Sequence, residues 1–146
     1  MKRSDLEYIR QLNDLINISR DRIDILRLKA LPGPILYDNT GASKPMPVNK
    51  TERIIELIEK EDKRMNARID KRYALKQQAI KEIRATCSEY EERHVLYLRY
   101  LSTYADGSAL KWDDVIRYVN KYHNIKRAKI YQIHHDALRK VELYNI

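Results

Sequence analysis

The chain has 146 residues, room for one or two small domains with a core of ordinary size. Its content of 43% apolar and 34% charged residues excludes a compositionally disordered chain. No apolar run approaches the roughly 20 residues of a membrane span, so no membrane partner is expected. A formal charge of +8 points to a polyanionic partner, and the single cysteine, Cys87, excludes an internal disulfide and suits a reducing cytoplasm.

The basic start Met-Lys-Arg-Ser leads into charged helix rather than an apolar signal core. The first helix is predicted from about 5 to 30, opened by the capping-box pattern Ser4–Glu7, with Leu6, Ile9, Leu12, Ile16, Ile23 and Leu26 on one side. All four prolines and two of the three glycines then fall between Pro32 and Pro47, so 31–48 is a loop. The second helix is predicted from about 50 to 86, opened by Asn49 with Glu52. Its apolar residues Ile55, Ile58, Met65, Ile69, Ile80 and Ile83 make a narrow, coiled-coil-like stripe interrupted by Asp62, Arg72 and Lys76. Residues 1–87 therefore read as a long helical hairpin, closed within the chain or by a second copy in a homodimer through residues 5–86. Between Lys63 and Arg84 eight Lys/Arg stand against Asp70 and Glu82. This run is either a second phosphate-contacting surface or, the reading favoured here, the solvated outside of the hairpin.

From residue 88 the texture changes to three shorter helices, about 89–101, 111–122 and 126–142, the first with the capping-box pattern Ser88–Glu91. Their apolar faces are Val95, Leu98 and Leu101; Trp112, Val115, Ile116 and Val119; and Ile130, Ile133, Ala137, Leu138 and Val141. Ile125 plugs the gap between the last two. Residues 88–146 are thus a three-helix, helix-turn-helix domain, and the fold class is all-α.

Function is carried by the last helix. At about 100° per residue its apolar side faces away from Ala128, Gln132, His135 and Arg139, flanked by Arg127, Tyr131, Lys129 and Asp136. From Arg117 to Lys140 seven Lys/Arg face one acid, Asp136. In the major groove Gln pairs with adenine, Arg with guanine, and a small apolar residue meets a thymine methyl. Basic residues at the helix start meet phosphates.

The fragment Asn124-Ile-Lys-Arg-Ala-Lys-Ile-Tyr-Gln-Ile-His-His-Asp-Ala-Leu-Arg-Lys-Val141 resembles, without gaps, the recognition-helix pattern of the −35-reading domain of bacterial sigma factors. Upstream, Glu92-Arg-His-Val-Leu-Tyr-Leu-Arg-Tyr100 is similar to the same domain's first helix. The resemblance spans roughly the last 55 residues and implies DNA contacts at Lys126, Arg127, Lys129, Tyr131 and Gln132. With the flanking front-face positions, the candidate DNA-binding set is Asn124, Lys126, Arg127, Ala128, Lys129, Tyr131, Gln132, His135 and Arg139. Ala128 stands where the family often has an acidic base-reader and Tyr131 where it has Arg, which implies a different sequence preference. The segment Trp112–His123 is about three residues longer than usual.

The layout as a whole is similar to small phage late-gene transcription regulators of the ArpU and RinA type. That likeness implies a sequence-specific regulator acting on double-stranded promoter DNA in a bacterial host cell, with host RNA polymerase as a further partner. Two other readings stand beside it: a structural DNA-packaging adaptor resembling the phage small terminases, and a coiled-coil protein that binds and inhibits another protein.

No enzyme, cofactor or metal is expected. His134 and His135 are adjacent rather than spaced for one face, and no phosphate loop or nucleophile motif occurs. Cys87 reads as an inert thiol, Asp113 and Asp114 as helix-start carboxylates, and Trp112 as core. His94 is expected to pack beside the first helix and His123 to occupy a turn. Tyr97, Tyr100, Tyr104, Tyr118 and Tyr122 are read as aromatic packing, with stacking on single-stranded bases as the alternative.

Overall fold

The computed structural model describes residues 1–31 and 48–144. The core of the predicted Pro/Gly-rich loop, and any cap made by the Asn49 side chain, lie outside the described residues. The fold is all-α: α1 Arg3–Ala30, α2 Val48–Thr86, α3 Tyr90–Leu96 continued by a π-helical turn Tyr97–Leu101, α4 Trp112–His123 and α5 Arg127–Leu143. Among the described residues the only strand-type pairing is the isolated bridge Thr103–Ala109.

α1 and α2 form an antiparallel hairpin, as the pairs Arg22–Glu61 and Ser19–Arg68 establish. On α1 the stripe runs as predicted, with Leu6, Ile9, Leu12, Ile16 and Ile23 buried and Leu26 half-buried. On α2 the predicted stripe is partly kept, with Ile58, Met65 and Ile80 half-buried. Ile54, Ala79 and Ile83 are buried, whereas Ile55 and Ile69 are exposed. Polar groups share the seam: the predicted interruptions Arg72 and Lys76 are half-buried, and Glu61 and Arg68 join them. Glu61 is buried between Arg22 and Arg64, and Arg68 donates to the Leu15 carbonyl (3.2 Å) and to Ser19 Oγ (2.9 Å). A buried polar group is tolerated when partners are at hand: α1 supplies them to Arg68, while Glu61 is held by Arg22 of α1 and Arg64 of α2.

The helix starts also differ from the capping-box reading. α1 begins earlier, with Lys2 N donating to Asp5 Oδ2 at 2.9 Å, so Asp5 rather than Glu7 is the capping carboxylate. α3 is preceded by Glu89, not Ser88, and no side chain caps it. In the π-helical turn Ser102 N donates to the Tyr97 carbonyl five residues back (2.8 Å). The wider turn shifts the facing of its residues so that Tyr100 and Leu101 are both buried.

The core crosses the sequence boundary at residues 87 and 88. Leu6 and Ile9 of α1, Ala79, Ile83 and Cys87 of the α2 end, Leu96, Tyr100 and Leu101, and Ala137, Leu138 and Val141 of α5 form one cluster. A second cluster, Val95, Leu110, Val115, Ile116, Val119 and Ile130, holds α3, α4 and α5 together, with Ile125 packed against it. Arg10 of α1 and Arg99 both donate to the Leu110 carbonyl, at 3.2 and 3.4 Å. The loop before α4 turns at Gly107, whose φ of +85° suits glycine; a Cβ there would also press on Asn17 Oδ1 of α1 at 3.2 Å. The hairpin is therefore the platform on which the last three helices stand.

Candidate nucleic-acid interface

The turn between α4 and α5 is built around Asn124, in the left-handed region at φ 53°, with its N–H donating to the Asn120 carbonyl at 2.8 Å. A helix ends well at a residue that tolerates this conformation, and asparagine is the usual choice after glycine. Asn120 Nδ2 donates to the Ile125 carbonyl at 3.1 Å and pins the turn, while Ile125 enters the core beside it. Lys126 is then the N-cap of α5, with extended backbone.

The back of α5 is closed: Ile130, His134, Ala137, Leu138 and Val141 are buried. Its C-terminal end is tied down as well. Lys140 Nζ meets Glu92 Oε1 of α3 at 2.6 Å, a bond that raises the Lys140 pKa above its ordinary value. Arg3 N donates to Glu142 Oε1 at 3.3 Å. The helix is consequently fixed in rotation about its axis.

All nine candidate residues, Asn124, Lys126, Arg127, Ala128, Lys129, Tyr131, Gln132, His135 and Arg139, are exposed. Several are positioned by neighbours. Arg127 Nη2 lies 3.3 Å from Asp113 Oδ1 at the start of α4, and Gln132 Nε2 donates to Asp136 Oδ1 at 3.0 Å. The Tyr131 ring sits 5.1 Å from that of Trp112. Trp112, half-buried, packs against the second core cluster as expected and also reaches this surface. The Arg99 guanidinium covers its face at 4.4 Å and His134 meets it edge-on at 4.7 Å. Asn124 differs from the other eight in having a clear conformational duty in the turn.

Two features were not legible as part of this surface. The side-chain setting is one: Arg117 and Lys121 of the predicted basic stretch are both exposed on α4, and Arg117 has Asp114 at 3.6 Å. His134 was treated only as half of an unsuitable metal pair. It is a buried strut, with Nε2 2.7 Å from the Tyr100 hydroxyl. Burial first, then the Arg3 and Arg99 charges, pushes its pKa down to about 4. Its position at the i+4 spacing from Ile130 was the available signal.

His94 does not sit in the predicted setting. Its Nδ1 is 2.9 Å from Nε2 of His123, so two histidines read separately form one bridge between α3 and α4. Burial and the neighbouring His123 lower the His94 pKa. Cys87 is buried, and burial pushes its thiol pKa up. Among the described residues no group of three or more His, Cys, Asp or Glu is placed to hold a metal ion, and no helix is long and apolar enough to cross a membrane. No protein-family model matches the chain, and no curated protein or solved structure matches it.

Proposed function

We propose that this protein is a sequence-specific regulator of transcription that binds promoter DNA by laying α5 in the major groove. The observation that carries the reading is the two-sidedness of that helix. Its back is wholly buried and bolted to α3 and the hairpin, while Lys126, Arg127, Ala128, Lys129, Gln132, His135 and Arg139 form a continuous exposed front. Lys126 and Lys129 meet phosphates, and Arg127, Gln132 and Arg139 reach base edges. The resemblance of Asn124–Val141 to the sigma-factor recognition helix supports the same orientation. The likeness to phage late-gene regulators supports control of phage or prophage genes in the bacterial cytoplasm. In this reading the α1–α2 hairpin serves as the dimerisation element or the contact to RNA polymerase.

The test is selection of bound fragments from a random duplex pool, followed by titration of Arg127→Ala and Gln132→Ala on the selected site. Each substitution is expected to weaken specific binding by roughly 1–3 kcal/mol. Unchanged affinity in both would remove α5 from the interface. Light scattering separates the packaging-adaptor reading, which requires a multi-subunit ring, from a monomeric or dimeric regulator.

A further inference from the structure

A second surface lies apart from the α5 front, where the C-terminal end of α2, α3, the π-helical turn and the end of α4 surround a groove of about 720 Å³. That size falls within the range of small-molecule sites, and none of the lining residues belongs to α5. Its chemistry is unusual for a solvated crevice. Tyr90, Tyr118 and Tyr122 line it and are 70%, 43% and 66% exposed, so large aromatic rings stand in water rather than packing in the core. Leu98 is the only aliphatic side chain in the lining, which gives an apolar helix little to sit on.

Cations and unused donors accompany the rings. Arg84 projects from α2, and the Arg93 guanidinium stands 5.5 Å from the Tyr90 ring centre. Arg93 Nη2 donates to the Ser88 carbonyl at 3.1 Å, but its Nε is buried without a partner, as is the Tyr97 hydroxyl. The His94–His123 bridge joins the two sides of the groove. Glu91 has a carboxylate oxygen 4.0 Å from His123 Nδ1, and no carboxylate is among the residues lining the groove.

We propose that this groove binds a nucleobase joined to a phosphate, the base stacking on Tyr90 and Tyr122 and the phosphate lying against Arg84 and Arg93. Aromatic platforms beside cations recognise that combination irrespective of sequence, because every base offers a π-face. The ligand is either a free nucleotide or one residue of an unpaired strand. The site does not depend on duplex reading by α5.

The full chain is titrated separately with ATP and with a short oligodeoxyadenylate, following tyrosine fluorescence and calorimetric heat. The double variant Tyr90→Ala/Tyr122→Ala, both positions being largely exposed, is expected to lose about tenfold to a hundredfold in affinity with its melting curve retained. Arg84→Ala should weaken binding and reduce its salt dependence, while Arg127→Ala should leave it unchanged. Comparable binding of both probes indicates a free-nucleotide site; much tighter binding of the oligomer indicates an unpaired strand. Failure of both probes to bind overturns the proposal. So does undiminished binding by both groove variants, or a loss that follows Arg127→Ala rather than the groove variants.

Discussion

The hydroxyl of Tyr100 lies 2.7 Å from Nε2 of His134, and the two rings stack with their centres 5.6 Å apart. Both are buried, Tyr100 in the π-helical turn and His134 on the back of α5, so this contact fixes α5 against the platform. Burial, reinforced by Glu7, pushes the Tyr100 pKa up to about 12, while the His134 pKa falls to about 4. A protonated phenol donating to a neutral imidazole satisfies both.

Stability should therefore fall on mild acidification. The unfolded chain protonates His134 near its ordinary value of 6.5, whereas the folded chain resists until about 4. The stabilising contribution is complete above the upper value and is lost as the pH drops through that window, because the unfolded state binds the extra proton there. His94, whose pKa is also lowered, acts in the same direction. Urea melts across the window should show a decline of up to about 3 kcal/mol from His134. His134→Gln should flatten that slope. Tyr100→Phe, which leaves the imidazole buried without its donor, should cost about 1–3 kcal/mol near neutral pH.

Asn124 should behave as a turn residue more than as a base reader. With φ at 53°, Asn124→Gly is expected to be neutral or slightly stabilising, and Asn124→Ala to cost about 1 kcal/mol. Thermal melts measure this, and duplex affinity should stay near wild type in the glycine variant. A tenfold loss of binding in that variant, without loss of stability, would instead assign the side chain a direct contact.

In the proposed DNA complex, Asp113 would compete with the phosphates for Arg127. Their ion pair, 3.3 Å long, is formed by exposed side chains and contributes little to folding. Asp113→Asn should therefore leave the melting temperature nearly unchanged while strengthening duplex binding several-fold at low salt, since one negative charge is removed from the interface. Anisotropy titrations over a salt series would show it. Weaker binding in this variant would mean that Asp113 orients Arg127 for reading rather than holding it back.

What the sequence disclosed follows from periodicity. The α1 stripe and the back of α5 were legible because Leu6, Ile9, Leu12 and Ile16, and then Ile130, Ala137 and Val141, recur at helical spacing with aliphatic side chains. α2 was misread at the level of its seam for the opposite reason. Glu61 and Arg68 take buried or half-buried positions there that a hydrophobic-pattern reading assigns to solvent, beside the interruption at Arg72 that the sequence does show. The same bias leaves His134 off the predicted apolar face and keeps His94 apart from His123, whose bridge spans 29 residues of sequence. The front of α5 needed only the complement of an aliphatic back. The Tyr90–Tyr122 groove depends on three separate elements and left no local pattern.

The polar seam of the hairpin yields a prediction about coupling rather than about one residue. Arg68 reaches α1 to bond Ser19 Oγ at 2.9 Å and the Leu15 carbonyl at 3.2 Å, and Ser19 is fully buried. Arg68→Ala should destabilise the hairpin by about 1–3 kcal/mol, because a buried hydroxyl and carbonyl lose their donor. Ser19→Ala alone should cost a similar amount, by leaving part of the guanidinium without an acceptor. The pair Arg68→Met/Ser19→Ala, which replaces the polar contact with an apolar one, should recover much of the loss, as buried polar pairs often do when both members are exchanged. A double-mutant cycle with Arg68→Met and Ser19→Ala, read by urea denaturation, should thus show a coupling energy of at least about 0.5 kcal/mol. Strict additivity would mean that the two side chains do not interact in solution, and that apolar burial between α1 and α2 alone sets the register of the hairpin.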